Sequence, residues 1–132
     1  MEVKIDTKEK FSVVSPVTTV LSANIAAEMI EICNKLLHQP VKNVILNMAA
    51  VTGIDATAAG VITDLQQQFY EKNASFVICN LSDAVSQMLD QLDLTELLNI
   101  TPTESEAWDI VQMEEIEREL LDGDDINFET NS

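Results

Sequence analysis

One junction constrains the fold more than any other part of the chain. Residues 43–61 read Asn43-Val44-Ile45-Leu46-Asn47-Met48-Ala49-Ala50-Val51-Thr52-Gly53-Ile54-Asp55-Ala56-Thr57-Ala58-Ala59-Gly60-Val61. Val44-Ile45-Leu46 is apolar on both faces, as a central strand buried on both sides should be. A turn follows, ends at Asp55, and gives way at once to a helix of small residues. Asp55 occupies the expected N-cap position, where the amides of Thr57 and Ala58 are placed to bond its carboxylate. A helix N-terminus carries partial positive charge and free N–H groups, so it suits a carboxylate or a phosphate on a nearby hydroxyl. Ala56, Ala58, Ala59 and Gly60 have almost no side chain. Either another surface comes close to this first turn, or the helix packs tightly on its own sheet.

The flanking sequence supplies the remaining elements. Residues 3–6 and 11–14 read as two short strands around a turn at 7–10, with Pro16 ending the second. Residues 23–38 form a helix with Ile25, Met29, Ile32 or Cys33, and Leu36 on one face, capped by Ser22 or Asn24 and stopped before Pro40. The motif helix covers 56–72, with Val61, Ile62, Leu65 and Phe69 inward, Thr63, Gln66, Gln67 and Glu71 toward water, and Asn73 at its stop. Phe76-Val77-Ile78-Cys79 is a second central strand. Ser82 caps a helix carrying Val85, Met88, Leu89 and Leu92. Residues 97–100 read as a short edge strand closed by Pro102, and 103–121 as a helix whose apolar residues spread widely around it. Its part from Met113 onward exceeds what a small domain needs and is expected to pack against a partner or a second copy. Residues 122–132 read as a disordered tail. Strands and helices in this order predict an α/β fold, a mixed sheet of four or five strands with helices mainly on one face.

The strand, the hydrophobic turn, Ile54-Asp55-x-Thr57-x-x-Gly60 and the amphipathic helix resemble the STAS family, in particular the bacterial anti-sigma factor antagonists. That family typically reads Asp-Ser-Ser/Thr-Gly-Leu-Gly at this turn and often Leu-Asp-x-x-Asn where this chain has Leu21-Ser22-Ala23-Asn24. The similarity runs from about Val3 to Trp108. It suggests a STAS-like domain over 1–110 and an acidic C-terminal extension over 111–132. The resemblance implies a non-catalytic partner switch. The unphosphorylated form would bind an anti-sigma factor, usually one with a serine kinase fold, and so free a sigma factor; a PP2C-type phosphatase would reset it. The implied contact patch is Asp55, Ala56, Thr57, Ala58 and Gly60. In the family the residue after the aspartate is the usual phosphoacceptor, and here it is Ala56, which has no hydroxyl. Thr57 falls on the second hydroxyl position, which is usually not the acceptor, and Ala58 replaces a glycine. Three explanations stand side by side: a permanently unphosphorylated protein, Thr57 as replacement acceptor, or a substitution introduced at 56 to lock one state.

Composition narrows the function classes. The 132 residues are 46% apolar and carry a net charge of −16, from 7 basic and 23 acidic side chains. Such a chain folds as one domain, and its charge repels nucleic acid and anionic membranes. After residue 103 there are 11 acids and one base, Arg118, so the acidity concentrates in the C-terminal segment. That segment is either a solvated, solubilising tail or an arm for a basic partner. No apolar run reaches the roughly 20 residues of a membrane span, and the charged start does not resemble a signal peptide, so a cytoplasmic protein is expected. Cys33 and Cys79 fit buried apolar roles rather than a disulfide framework, and they form no zinc pattern with the lone His38. Only three glycines occur, at 53, 60 and 123, and none forms a phosphate loop. No Ser-His-Asp set is credible, and the paired acids lie in the C-terminal segment. The chain is therefore expected to be no enzyme and to need no cofactor. A structural subunit of a larger complex (stressosome-like or lipid-transport), and an anion or nucleotide sensor at the motif helix, are the alternative functions. A homodimer is compatible with the sequence.

Overall fold

The computed structural model describes residues 3–131, with side chains to Leu121. Strands β1 (Val3–Thr7) and β2 (Ser12–Pro16) form a hairpin. A short strand β3 (Val20–Leu21) leads into helix α1 (Ala23–Leu36). Then come β4 (Val44–Asn47), β5 (Gly53–Ile54), α2 (Ala56–Glu71), β6 (Phe76–Cys79), α3 (Asp83–Gln91), β7 (Ile100–Thr101) and α4 (Glu104–Asn131). Five strands make one sheet in the order β1-β2-β4-β6-β7, antiparallel between β1 and β2 and parallel elsewhere. The mixed five-stranded sheet predicted from sequence is present. The helix expected over 103–121 runs on to Asn131, so the segment expected to be a disordered tail from 122 is helical through 131.

Period-two alternation explains why the central strands are apolar throughout. Val14, Val44, Leu46, Phe76 and Ile78 face α1, α2 and α3, in a core with Met29, Ile62, Leu65 and Phe69. Val13, Ile45, Val77 and Cys79 face the other way and are covered by Ala107 and Val111 of α4. Trp108 completes this second layer by stacking on Phe11 at 4.6 Å. Three helices thus share one face, and α4 alone covers the other.

Helix ends follow their local chemistry. Asn73 and Asp93 adopt left-handed φ of 60° and 59° just past α2 and α3. Ala74 N–H then reaches back to Phe69 C=O at 2.9 Å, and Leu94 N–H to Leu89 C=O at 2.9 Å. Both are Schellman closures, and asparagine and aspartate tolerate that backbone best after glycine. The edge strand expected at 97–100 is displaced: Thr95–Leu97 is a 3₁₀ turn, and only Ile100–Thr101 pairs with β6. Gln66, expected to face water, is the reason. Its Nε2 donates to Leu97 C=O at 2.8 Å, and its Oε1 accepts from Asn99 N–H at 2.8 Å. One side chain therefore takes the backbone bonds that a strand would have used.

Both cysteines are fully buried, and burial pushes each thiol from 9.0 up to about 12. The folded state holds these protons more tightly than the unfolded chain does. Their contribution to stability is therefore complete below the unfolded thiol pKa, about 8.5, and is lost as pH rises toward 12. A thiol reagent at neutral pH should label neither cysteine until denaturant unfolds the chain, and urea midpoints should fall between about pH 8.5 and 11. Rapid labelling of the native protein would contradict this burial.

Candidate functional site

Two parallel backbone bridges bring the start of α1 beside the start of α2. β3 pairs with β5 in register Val20 to Gly53 and Leu21 to Ile54. Around this pairing, Thr52 N–H donates to Thr19 C=O at 2.8 Å, and Asp55 N–H to Leu21 C=O at 3.1 Å. The chain then enters both helices from the same small ribbon, and a single carboxylate serves both. Asp55 Oδ1 accepts from Ala58 N–H of α2 at 2.8 Å, while Oδ2 accepts from Ala23 N–H of α1 at 3.2 Å.

This arrangement corrects the sequence reading in two ways. Only the Ala58 amide, not that of Thr57, bonds the carboxylate within α2. Neither Ser22 nor Asn24 caps α1: Ser22 holds the N-cap position without a side-chain bond. The missing partner comes from 32 residues away, so no local pattern could have revealed it. Two positive helix ends and two orphan N–H groups converge on one anion, which is the electrostatically favoured use of that position.

The contact residues expected from sequence are brought together but are not equally presented. Ala56 and Thr57 are exposed at the first turn of α2, and Asp55 and Gly60 are half-buried. Ala58 must be removed from the contact patch, because its side chain is fully buried in the core and its amide is occupied by Asp55. Val20 was missed and belongs beside the turn: it is 52% exposed, and its Cγ2 lies 3.7 Å from where a Cβ on Gly53 would stand. A two-residue strand carries too little periodicity to be recognised. Gly60 is not required by packing, since an added Cβ there would meet nothing within 4 Å.

A surface hollow of about 570 Å³ lies at the same end of the sheet, lined among others by Pro16, Val17, Ala49, Ala50 and Glu104. Its floor is held by an asparagine relay. Asn80 Nδ2 donates to Asn47 Oδ1 at 3.2 Å, that oxygen also accepts from Ala49 N–H at 3.0 Å, and Asn47 Nδ2 donates to Glu104 at 3.1 Å. The hollow extends over the β1–β2 hairpin at Lys4, Ile5, Asp6 and Val13, whereas the Asp55 turn follows the carboxyl end of β5. Among the described residues no cluster of three or more His, Cys, Asp or Glu could hold a metal ion. His38 Nδ1 lies 2.8 Å from the Asn34 carbonyl at the end of α1, remote in the chain from this turn.

A mixed α/β module with a carboxylate-pinned strand-to-helix turn defines the class, and the chain belongs to the STAS domain family, whose model matches residues 2–107. Its fold is similar to that of a Thermotoga maritima protein described as a candidate anti-sigma factor antagonist, at 19% identity and TM-score 0.73, covering 83% of this chain and 94% of that one. It is also similar to the anti-sigma factor antagonist SpoIIAA in its unphosphorylated form, at 16% identity and TM-score 0.68, covering 83% and 96%. The murine Solute Carrier 26 family member A9 anion transporter shares the fold at 12% identity and TM-score 0.67, over 82% of this chain but only 18% of the transporter. Among the described residues no helix is long and apolar enough to cross a membrane.

Asp55→Ala removes both caps at once and should cost about 1–4 kcal/mol, from two contributions of about 0.5–2 each. Ser22→Ala should change stability by less than about 0.5 kcal/mol, because its side chain makes no cap bond. Gly60→Ala should raise stability by about 0.5–1 kcal/mol through helix propensity alone. Urea unfolding of the three variants checks all of these. Equal losses for Ser22→Ala and Asp55→Ala would contradict the shared cap.

Proposed function

We propose that this protein is a non-catalytic partner-switching regulator, an anti-sigma factor antagonist that acts in the cytoplasm. Its partner is an anti-sigma factor with a serine kinase fold, which it contacts through the Asp55 turn and the first turn of α2. The observation that carries this reading is the exposed pair Ala56-Thr57, held at a rigid helix start beside exposed Val20. The contact patch is Val20, Asp55, Ala56, Thr57 and Gly60. Membership of the STAS family and the fold shared with anti-sigma factor antagonists support it.

Phosphorylation in such a switch adds about −1.5 to −2 charge and three acceptor oxygens. On the first turn of α2 that charge would sit next to Asp55, whose carboxylate already occupies both helix ends. A partner seated on the turn would have to desolvate both anions. Ala56 removes the usual acceptor, so binding here is constitutive and a PP2C-type phosphatase finds no substrate at that position. Thr57 is the remaining hydroxyl of the turn.

Titration calorimetry with each kinase-fold anti-sigma factor of the source organism tests the reading. Thr57→Lys should weaken binding at least about tenfold, or 1.4 kcal/mol, with the fold unchanged. Gly60→Ala should weaken binding while raising stability, because the added methyl affects only an approaching surface. Adding ATP should leave the native affinity unchanged, whereas Ala56→Ser should acquire a phosphate, detected by mass, and lose affinity. Unaltered binding by Thr57→Lys would remove the turn from the interface. The similarity to a segment of an anion transporter favours a second reading, a subunit of a larger assembly. That reading expects a stoichiometric complex insensitive to ATP in both the native protein and Ala56→Ser.

A further inference from the structure

Helix α4 has two apolar faces, and the sheet uses only one. Ala107 and Val111 are fully buried against the strands. Further along, the inner face changes from apolar to polar and stays attached. Glu114 accepts from Ser75 Oγ at 2.6 Å and from Tyr70 Oη at 2.8 Å. Glu115 accepts from Asn43 Nδ2 at 2.7 Å. Arg118 donates to Ser75 Oγ at 3.1 Å and to Asn43 Oδ1 at 3.3 Å. These bonds fix the stretch across the amino ends of β4 and β6.

Opposite these anchors stand Met113, Ile116 and Leu120, 58%, 55% and 57% exposed. Their spacing of three and four residues aligns them in one row on the helix. Asp109, Glu117 and Glu119, all exposed, border that row. The only base between 104 and 132 is Arg118, which points inward, while the same stretch holds 11 acids. This part of α4 also lies beyond the family match, which ends at 107.

We propose that the outer face of α4 docks a basic amphipathic helix of a partner protein. A row at this spacing receives the apolar seam of another helix, and acidic borders select lysine and arginine beside that seam. Charge decides against the other occupants. A second copy would bring two acidic segments together, and nucleic acid or an anionic membrane would be repelled outright. The Glu114, Glu115 and Arg118 anchors hold the face in place before binding, which lowers the ordering cost of association. The face lies on the opposite side of the sheet from α2 and at the opposite end of β4 from Asp55. Its occupation is independent of the site proposed above.

The probe is a fluorescein-labelled synthetic peptide with leucine at the a and d heptad positions and lysine elsewhere, titrated into the full chain by anisotropy. Saturable one-to-one binding should weaken at least tenfold in the double variant Ile116→Ser/Leu120→Ser and be unaffected by Thr57→Lys. Both serines stand at exposed positions, and emission from the single tryptophan, Trp108, verifies that α4 remains docked. Equal binding of a scrambled lysine-leucine peptide would reduce the effect to net charge and overturn the proposal. Unchanged binding by the double variant, or no binding at all, would do the same. Sedimentation showing a native dimer that the double variant dissolves would assign the face to a second copy and also overturn it.

Discussion

The Asp55 carboxylate is the point on which this architecture turns. Two helices that are adjacent in the core begin side by side, and each leaves unpaired N–H groups and a positive dipole end. Bringing two such ends together is unfavourable unless an anion lies between them. Asp55 supplies it, with one oxygen on Ala58 N–H and the other on Ala23 N–H. The small β3–β5 ribbon sets the approach, and the buried side chains of Leu21 and Ile54 tie that ribbon to the core. Remove the carboxylate and both helix starts lose a partner together.

This constraint also shapes the surface. A carboxylate committed to two backbone amides is held rather than free, so the turn beside it is rigid. What remains outward is small: Ala56, Thr57, the flank of Gly60, and the apolar edge of Val20. The anion position between the two helix starts is already filled by Asp55. At Gly60 an added Cβ would meet nothing within 4 Å, so the fold gives no steric cause for glycine at this position.

On the far side of the sheet a different logic operates. α4 docks first through Ala107, Trp108 and Val111, by simple burial, and then through a bonded polar cluster around Ser75 and Asn43. Tyr70 belongs to that cluster. Burial, reinforced by the hydrogen bond to Glu114, raises its phenol above the ordinary 10.0. Among the described residues, no buried side-chain polar atom lacks a partner. A polar cluster satisfied to that degree orients a helix more narrowly than apolar contact does, because each bond has a preferred direction. The consequence is a helix held in one rotation, with Met113, Ile116 and Leu120 turned away from the sheet.

Local pattern alone settled a good deal. The all-apolar runs at 44–46 and 76–79 had to be central strands, since polar groups appear on neither face. The position of Asp55 ahead of an alanine-rich turn marked a capped helix, and Asn73 marked its stop. These are short-range facts: a strand face, a cap and a left-handed residue each depend on neighbours within a few positions. The second role of Asp55, the burial of Ala58, the exposure of Val20, and the grip of Gln66 on Leu97 and Asn99 were decided only by the tertiary structure. Each depends on a contact between residues about 30 positions apart or on which side of a helix meets the sheet. α4 shows the limit most plainly. Its sequence is apolar on two sides, and only the tertiary structure, with the sheet burying Ala107 and Val111 and with Tyr70, Ser75 and Asn43 bonding Glu114 and Arg118, determined which side faces outward.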